Sequence, residues 1–114
     1  MRRNPTSAFF ITQHLVYFFV SEECREFKIG YSSRLRHRLT ELRVGCPGSP
    51  YLLGFIRYTC RKEAQKAEDL FHQGFAEFRT RGEWFELSTN TRAMIERAVF
   101  ESKTLLEQVM GEIM

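Results

Sequence analysis

The pattern of apolar and polar residues predicts a β-hairpin near the start of the chain. Two runs rich in β-branched and aromatic residues, Leu15 to Val20 and Arg25 to Gly30, flank the polar segment Ser21 to Cys24. Such runs are typical of strands, and a four-residue connection between them is typical of a hairpin turn.

The length of this turn also predicts how the two strands pair. We expect Val20 to face Arg25, which sets the register along the hairpin. The resulting pairs are Val16 with Ile29, Phe18 with Phe27, and Tyr17 with Lys28. The first two pairs would form an apolar face, and the phenol and the ammonium would lie together on the other face.

A basic helix is expected directly after the hairpin. Gly30 ends the second strand, where it has no side chain to block the backbone, and Ser32 or Ser33 could cap the helix. Three leucines then recur at helical spacing: Leu35, Leu39 and Leu42. We expect them to pack on the apolar face of the hairpin. Arg38 lies at the border of this stripe, about 60° from its centre.

The rest of the chain predicts an α+β fold. The further elements are a strand at Tyr51 to Thr59 covered on both faces, a helix from Thr59 or Cys60 to about Phe78, a turn at Arg79 to Gly82, a strand at Glu83 to Leu87 and a closing helix at about 89–110. The order β-β-α-β-α-β-α predicts a small, mainly antiparallel sheet flanked by helices. Residues 14–114 would form one domain, preceded by a partly disordered leader, residues 1–13.

Glu68 is the anomalous carboxylate of the second predicted helix. The apolar stripe of this helix consists of Ala64, Ala67, Phe71, Phe75 and Phe78. Glu68 lies about 60° from the middle of that stripe, whereas Glu63 and Asp69 are placed for solvent. A carboxylate beside an aromatic face needs a partner or a function.

Composition and charge narrow the class of protein. The 114 residues are 43% hydrophobic and 27% charged, which is typical of a soluble globular domain. The net charge of +3 is modest, but five basic residues cluster within ten positions: Arg34, Arg36, His37, Arg38 and Arg43. This cluster predicts a local basic face.

The cysteines and the hydropathy give further expectations. Cys24, Cys46 and Cys60 are odd in number and lack C-x-x-C spacing, which argues against a disulfide framework and a zinc site. Reduced cysteines are typical of a cytoplasmic protein. No apolar run is long enough to span a membrane, and so we expect no membrane partner.

Three segments, taken in order, resemble a known nuclease superfamily. They are Val16-Tyr17-Phe18, Lys28-Ile29-Gly30-Tyr31-Ser32 and Gly82-Glu83-Trp84-Phe85. Across roughly residues 14–88 the chain is similar to the GIY-YIG nuclease superfamily, and more closely to its T5orf172/MUG113-like branch. Leu15 stands where the namesake motif has its first glycine, and Lys28 where the second motif has its tyrosine. Lysine at that position looks usual for this branch.

The resemblance implies a metal-dependent nuclease that hydrolyses phosphodiester bonds in DNA, with RNA as the second choice. It implies that Tyr17, assisted by Lys28, accepts a proton from water and that Arg38 stabilises the transition state. Glu68 would hold one Mg²⁺ or Mn²⁺ ion. His72, one turn further on, could hydrogen-bond Glu68 but is not expected to be a ligand.

Other residues are expected to contact the nucleic acid or to support the site. We expect three arginines to contact phosphates: Arg34, Arg36 and Arg43. Tyr31 and Ser32 are expected to line the cleft, and Gly30 and His72 to have secondary roles. We interpret Trp84 and Phe85 as core residues in preference to a base-stacking platform.

Alternative interpretations stay open on the sequence alone. Tyr17 could be an ordinary sheet residue, Lys28 and Arg38 could be solvated charges, and Glu68 could be a helix-surface residue. The domain could bind nucleic acid without cleaving it. It could also be a protein-interaction domain, with the closing helix as a docking or homodimer surface.

Overall fold

The computed structural model describes residues 13–113, with side chains described as far as Ser102. The elements are β1 (His14–Ser21), β2 (Glu26–Ser32), α1 (Leu35–Val44), β3 (Tyr51–Tyr58), α2 (Arg61–Gly74), a short 3₁₀ helix (Ala76–Phe78), β4 (Arg79–Arg81), β5 (Trp84–Glu86) and α3 (Thr89–Ile113). The predicted leader, residues 1–13, lies outside the described residues except for Gln13. Within the described range, no helix is long and apolar enough to cross a membrane.

The α+β class is confirmed. The five strands form one antiparallel sheet with the order β3-β1-β2-β5-β4, and three α-helices cover it within the described range. The predicted turn at Arg79 to Gly82 was wrong, because Arg79–Arg81 forms a strand that pairs with β5. The chain reverses at Gly82 and Glu83, where Gly82 adopts a left-handed φ of 49°. Helix α2 ends at Gly74, and its predicted last turn is the 3₁₀ helix.

The predicted hairpin register was wrong by two residues. Tyr17 pairs with Gly30, and Lys28 pairs with Phe19. The turn occupies residues 22–25, one position later than predicted, and it closes with Arg25 at a φ of 55°. Because side chains alternate with a period of two, a slip of two keeps every residue on its predicted face. Tyr17 and Lys28 therefore share a face of the sheet but do not oppose each other.

The prediction of which helix covers which face was also wrong. Val16 and Phe18 belong to a large apolar cluster that includes residues of α2 and α3. Helix α1 packs on the opposite face, where Leu39, Tyr17 and Phe19 form a small apolar cluster. The physical reason is that β1 is buried on both sides along its length. Its sequence offers two apolar faces and does not specify which one a helix will cover.

Strand β3 is covered on both faces as predicted, although it lies at the sheet edge. Leu53 and Ile56 join the large cluster, whereas Leu52 and Phe55 pack against the small one. Helix α3 crosses close to β3, since a Cβ added at Gly54 would lie 3.0 Å from the side chain of Val99. Three residues of the predicted apolar face of α3 lie outside the described side chains: Leu105, Leu106 and Val109.

Candidate active site

The Tyr17 phenol lies over Gly30, its partner across the hairpin. Only 1% of Tyr17 is exposed, and a Cβ added at Gly30 would lie 2.3 Å from the Tyr17 hydroxyl oxygen. No other residue type leaves this space, so the close approach requires glycine. Strand β2 continues through Gly30 to Ser32, and the glycine creates room for the phenol in place of ending the strand.

Arg38 is the cation in contact with this phenol. The Arg38 Nε donates a hydrogen bond to the Tyr17 hydroxyl at 3.5 Å, and its Nη1 donates to Glu41 Oε1 at 3.3 Å. The Arg38 side chain is 42% exposed, as its position at the border of the leucine stripe predicts. The guanidinium can therefore touch both the buried phenol and a molecule bound at the surface.

Lys28 points to a different partner. Its Nζ lies 2.5 Å from Glu83 Oε1 and 6.0 Å from the centre of the Trp84 ring. Glu83 lies in the turn between β4 and β5, and its main-chain oxygen also accepts a hydrogen bond from the Ile29 N–H at 3.2 Å. The ammonium expected to face Tyr17 is thus paired with a carboxylate that the motif contains but to which sequence reasoning gave no role.

Glu68 lies half-buried on α2. Among the described residues it has neither a hydrogen bond nor an ion pair from its side chain. Burial raises the pKa of Glu68, and the negative charge of Glu83 raises it further. The charges of His72 and Lys28 act in the opposite direction. A nearby cation would stabilise the ionised form of such a half-buried carboxylate.

His72 forms a hydrogen bond with strand β2 and not with the Glu68 carboxylate. Its Nε2 donates to the main-chain oxygen of Ile29 at 3.0 Å, and its Nδ1 accepts from Arg79 at 3.3 Å. Both ring nitrogens are engaged, so the hydrogen bond predicted between His72 and Glu68 is not formed in the described structure.

The electrostatics of Tyr17 follow from these neighbours. Burial raises the pKa of the Tyr17 phenol, while the hydrogen bond and the charge of Arg38 lower it. The charges of Glu83 and Glu68 raise it again. The phenol is therefore protonated near neutral pH and holds its proton until further positive charge arrives.

The predicted nucleic-acid residues divide between two places. Arg36 and Arg43 are exposed on α1, and Arg34 is exposed at its N-cap. The Ser32 Oγ accepts from the Arg34 N–H at 2.9 Å and so supports the start of α1. Tyr31 lies on the other face, where it packs against the large cluster.

Tyr31 also has partners that the sequence did not suggest. Its hydroxyl is 2.8 Å from His14 Nδ1, and Arg61 lies 6.0 Å from its ring centre. Of the two aromatic residues predicted as core, Phe85 is fully buried and Trp84 is half-buried against the small cluster. Tyr31 is therefore separated by the sheet from the Tyr17 phenol.

Tyr17 is in direct contact with Arg38, and Lys28 with Glu83, on the α1 face of the sheet. Glu68 stands on α2, which packs on the other face, and only its charge acts on Tyr17. One signal could have identified Glu83. A lysine in an apolar stretch of a strand needs a counter-charge, and the predicted strand Glu83 to Leu87 offers two carboxylates, Glu83 and Glu86. Within the described residues, no group of three or more His, Cys, Asp or Glu side chains could hold a metal ion.

Of the comparisons with known proteins, one gives a match. A search of curated proteins and a search of solved structures each gave no match. The T5orf172 domain matches residues 14–103, which span the whole sheet, helices α1 and α2 and the first part of α3. The chain therefore belongs to the T5orf172 family, whose domain is a GIY-YIG-like, nuclease-type domain.

Proposed function

We propose that this domain is a metal-dependent nuclease that hydrolyses phosphodiester bonds in DNA, with RNA as the second choice. The observation that carries this proposal is the hydrogen bond from Arg38 to the buried Tyr17 hydroxyl, close to a Glu68 carboxylate that has no partner in the described structure. Phosphodiester hydrolysis needs a proton acceptor, positive charge on the phosphate and help for the leaving oxygen.

Tyr17 is the proposed proton acceptor for the attacking water. Its hydroxyl is held at a fixed place by Gly30 below and Arg38 beside it. Because burial raises the pKa of Tyr17, the free domain keeps the phenol neutral, and the phenol must first lose its proton to solvent before it can accept one from the attacking water. A divalent cation bound with the substrate would favour that ionisation, since a nearby positive charge stabilises a phenolate.

Arg38 is proposed to serve the phenol and the phosphate together. Its Nε is used on Tyr17, and the Nη1 contact with Glu41 is solvent-exposed and therefore weak. A phosphate can replace Glu41, since guanidinium groups form strong charge-assisted bonds with phosphate oxygens. Arg38 would then stabilise the charge that builds up on the phosphate in the transition state.

Glu68 is the residue that would hold one Mg²⁺ or Mn²⁺ ion. A hard cation prefers carboxylate oxygens, and a half-buried carboxylate without a cation partner fits this role. The ion would supply Lewis-acid stabilisation of the phosphate oxygens. One carboxylate makes a weak site, so we expect metal to bind well only in the presence of substrate.

Lys28 and the α1 arginines complete the proposal. Lys28 lies on the same face as Tyr17 and adds a second positive charge there. Arg34, Arg36 and Arg43 are exposed and would contact the nucleic-acid backbone without reading its sequence. The similarity of the motifs to the MUG113-like branch supports the same assignment.

A plasmid-nicking assay with Mg²⁺, Mn²⁺ or EDTA tests the proposal. We expect nicking with either metal and none with EDTA. Tyr17→Phe, Arg38→Ala and Glu68→Ala should each lower the rate by on the order of a hundredfold or more while leaving DNA binding nearly intact, because these groups act mainly in the transition state. The matched control is Asp69→Asn, an exposed carboxylate next to Glu68 on α2. Full cleavage by Tyr17→Phe and Glu68→Ala would exclude this site.

A nucleic-acid-binding module without cleavage is the second candidate. Two observations favour it: the buried Leu15 replaces the first motif glycine, and burial opposes ionisation of Tyr17. Salt-dependent DNA binding without metal-dependent nicking would select this candidate. A domain that neither binds nor cleaves nucleic acid would point to protein interaction, for which the exposed Phe100 on α3 offers an apolar contact.

A further inference from the structure

Lys28 stands out among the charged residues because it is buried. Of the charged side chains in the described part of the chain, it is the one at a buried position, with 9% of its side chain exposed. An ammonium group removed from water is destabilised unless a counter-charge lies close to it. Glu83 provides this counter-charge at 2.5 Å.

Glu83 is attached to β2 by its main chain as well as by its carboxylate. The Ile29 N–H donates to the Glu83 main-chain oxygen at 3.2 Å, and Lys28, one residue earlier, donates to the carboxylate. The last β2–β5 pair joins Lys28 to Trp84. The ion pair therefore lies where β5 stops covering β2, next to Gly30 and the Tyr17 phenol.

Glu83 is also open to the surface. Its side chain is 49% exposed, whereas the lysine that it contacts is not. Three charged groups act on the Tyr17 phenol from the surrounding elements: Arg38 on α1, Glu83 in the β4–β5 turn and Glu68 on α2. Lys28 lies on the same face of β2 as Gly30 and is paired with Glu83. Glu83 is thus the carboxylate of this group that contacts a catalytic candidate directly and also reaches solvent.

We propose that Glu83 is a positioning residue of the active site, which fixes the ammonium of Lys28 on the Tyr17 face of the sheet, at the end of β2 that β5 leaves uncovered. This inference rests on the nuclease function proposed above. Without Glu83, the flexible lysine stem turns toward solvent, because an unpaired ammonium is better hydrated there. The positive charge then moves away from the place where the phosphate binds.

A double-mutant cycle in the nicking assay tests this role. Glu83→Gln should lower kcat on the order of tenfold, since misplacing a group near the reacting atoms is costly. Lys28→Met should lower it by at least as much. If Glu83 acts through Lys28, the double variant loses no more activity than Lys28→Met alone. Additive losses would overturn the proposal.

The matched control is Glu86→Gln, which removes an exposed carboxylate from the same hairpin. It should retain full activity. Mn²⁺ binding, measured by calorimetry on the protein with uncleavable substrate, adds a second check. A loss of Mn²⁺ affinity in Glu83→Gln as large as that in Glu68→Ala would make Glu83 a metal ligand and would contradict the positioning role.

An NMR measurement keeps the inference separate from the nuclease proposal. The Hζ–Nζ signal of Lys28 should be visible and protected from exchange in the free wild-type domain and in Glu86→Gln, and it should disappear in Glu83→Gln. If wild type does not nick DNA, the nuclease proposal fails while these signals still decide whether Glu83 holds Lys28.

Destabilisation of Glu83→Gln does not prevent the test. Removing one partner of a buried pair leaves an uncompensated charge, while removing both does not. The double variant should therefore be more stable than Glu83→Gln in urea denaturation. If the double variant is the less stable protein, Glu83 supports the fold independently of Lys28 and the proposal is overturned.

Discussion

The two faces of the sheet are both covered by helices, but they are filled differently. The large cluster under α2 and α3 contains ten buried apolar residues, and the buried Thr91 also lies on α3. The face under α1 has three buried cluster members, Tyr17, Phe19 and Leu39, and the buried Lys28 also lies on this side. The large cluster therefore forms a thick apolar layer, and the small cluster forms a thin one. The thick layer can stabilise the fold without help from the other face. The thin layer can therefore keep the Tyr17 hydroxyl and the Lys28 ammonium close to solvent, where they can react with a bound molecule.

The largest expected effect concerns stability. Phe18 lies in the thick layer and contacts the edge of Phe71 with ring centres 5.3 Å apart. Phe18→Ala should lower the free energy of unfolding by about 3–5 kcal/mol, the usual cost of emptying a large core site. Leu39→Ala in the thin layer should cost about 2 kcal/mol, since a partly covered site can refill with water or collapse. Urea denaturation measures both values. Equal losses would show that the two layers share the stabilisation.

Two glycines give a second comparison, one on each side of the sheet. A Cβ at Gly30 would lie 2.3 Å from the Tyr17 hydroxyl, while a Cβ at Gly54 would lie 3.0 Å from Val99 on α3. Gly30→Ala should lower nicking by about a hundredfold because the phenol must move from its place beside Arg38.

Gly54→Ala is the control for this comparison. Its Cβ would press on α3, far from the phenol, so it should alter stability and leave the rate of nicking unchanged. Melting temperatures and rates, measured on the same samples, separate the two effects. A loss of activity in Gly54→Ala as large as that in Gly30→Ala would mean that the two faces are not independent.

The same difference between faces explains how far the sequence could predict the fold. Periodicity located the strands and helices, since alternation and helical spacing depend on residues close in sequence. It could not assign α1 to a face, because β1 is apolar on both sides. The predicted register was wrong by two residues because the turn begins one position later. That turn places Arg25 at a positive φ, which residues with a side chain rarely adopt, so the sequence did not predict it.

The candidate site was predicted unevenly for a related reason. The border position of Arg38 depends on one helix, so it could be found from spacing alone, and the arginine does contact Tyr17. The partner of Lys28 could not be found in this way, because Glu83 is distant in sequence and meets Lys28 only through the pairing of β2 with β5. Contacts made by side chains across the sheet require the register, which local patterns do not give.

A smaller effect is expected from the outer surface of α1. Replacing Arg34, Arg36 and Arg43 by glutamine should weaken DNA binding to all sequences and lower the slope of log K against log salt by about one for each phosphate that the variant no longer neutralises. Arg97, which is exposed on α3 and pairs with Glu101, is the control, and Arg97→Gln should leave the slope unchanged. Fluorescence anisotropy between about 50 and 200 mM salt measures the slope. An unchanged slope in the triple variant would move the binding surface away from α1.

The smallest effect compares two phenols, the buried Tyr17 and the half-buried Tyr58. Burial raises the pKa of both Tyr17 and Tyr58, but only Tyr17 has a cation that lowers it again. Arg38→Met should therefore raise the pKa of Tyr17 and leave that of Tyr58 unchanged, as followed by the ¹³Cζ shifts of the two rings. A shift of both pKa values would show that Arg38 acts through the structure as a whole.

The same phenols make a signed prediction about stability. A folded-state pKa above the ordinary value of 10.0 means that the folded protein holds the proton more tightly than the unfolded chain does. This contribution to stability is fully present below that ordinary value and is lost as the pH rises through the folded-state pKa.

Tyr17→Phe removes the ionisation of Tyr17, so its free energy of unfolding should fall less steeply with alkaline pH than that of wild type. Tyr58 and the Cys46 thiol, whose pKa values burial also raises, still ionise in Tyr17→Phe and should account for part of the remaining slope. A Tyr58→Phe variant should reduce that part. Urea denaturation across the alkaline range measures both, and an unchanged slope in Tyr17→Phe would mean that the phenol on the α1 face is not shielded from water as its burial implies.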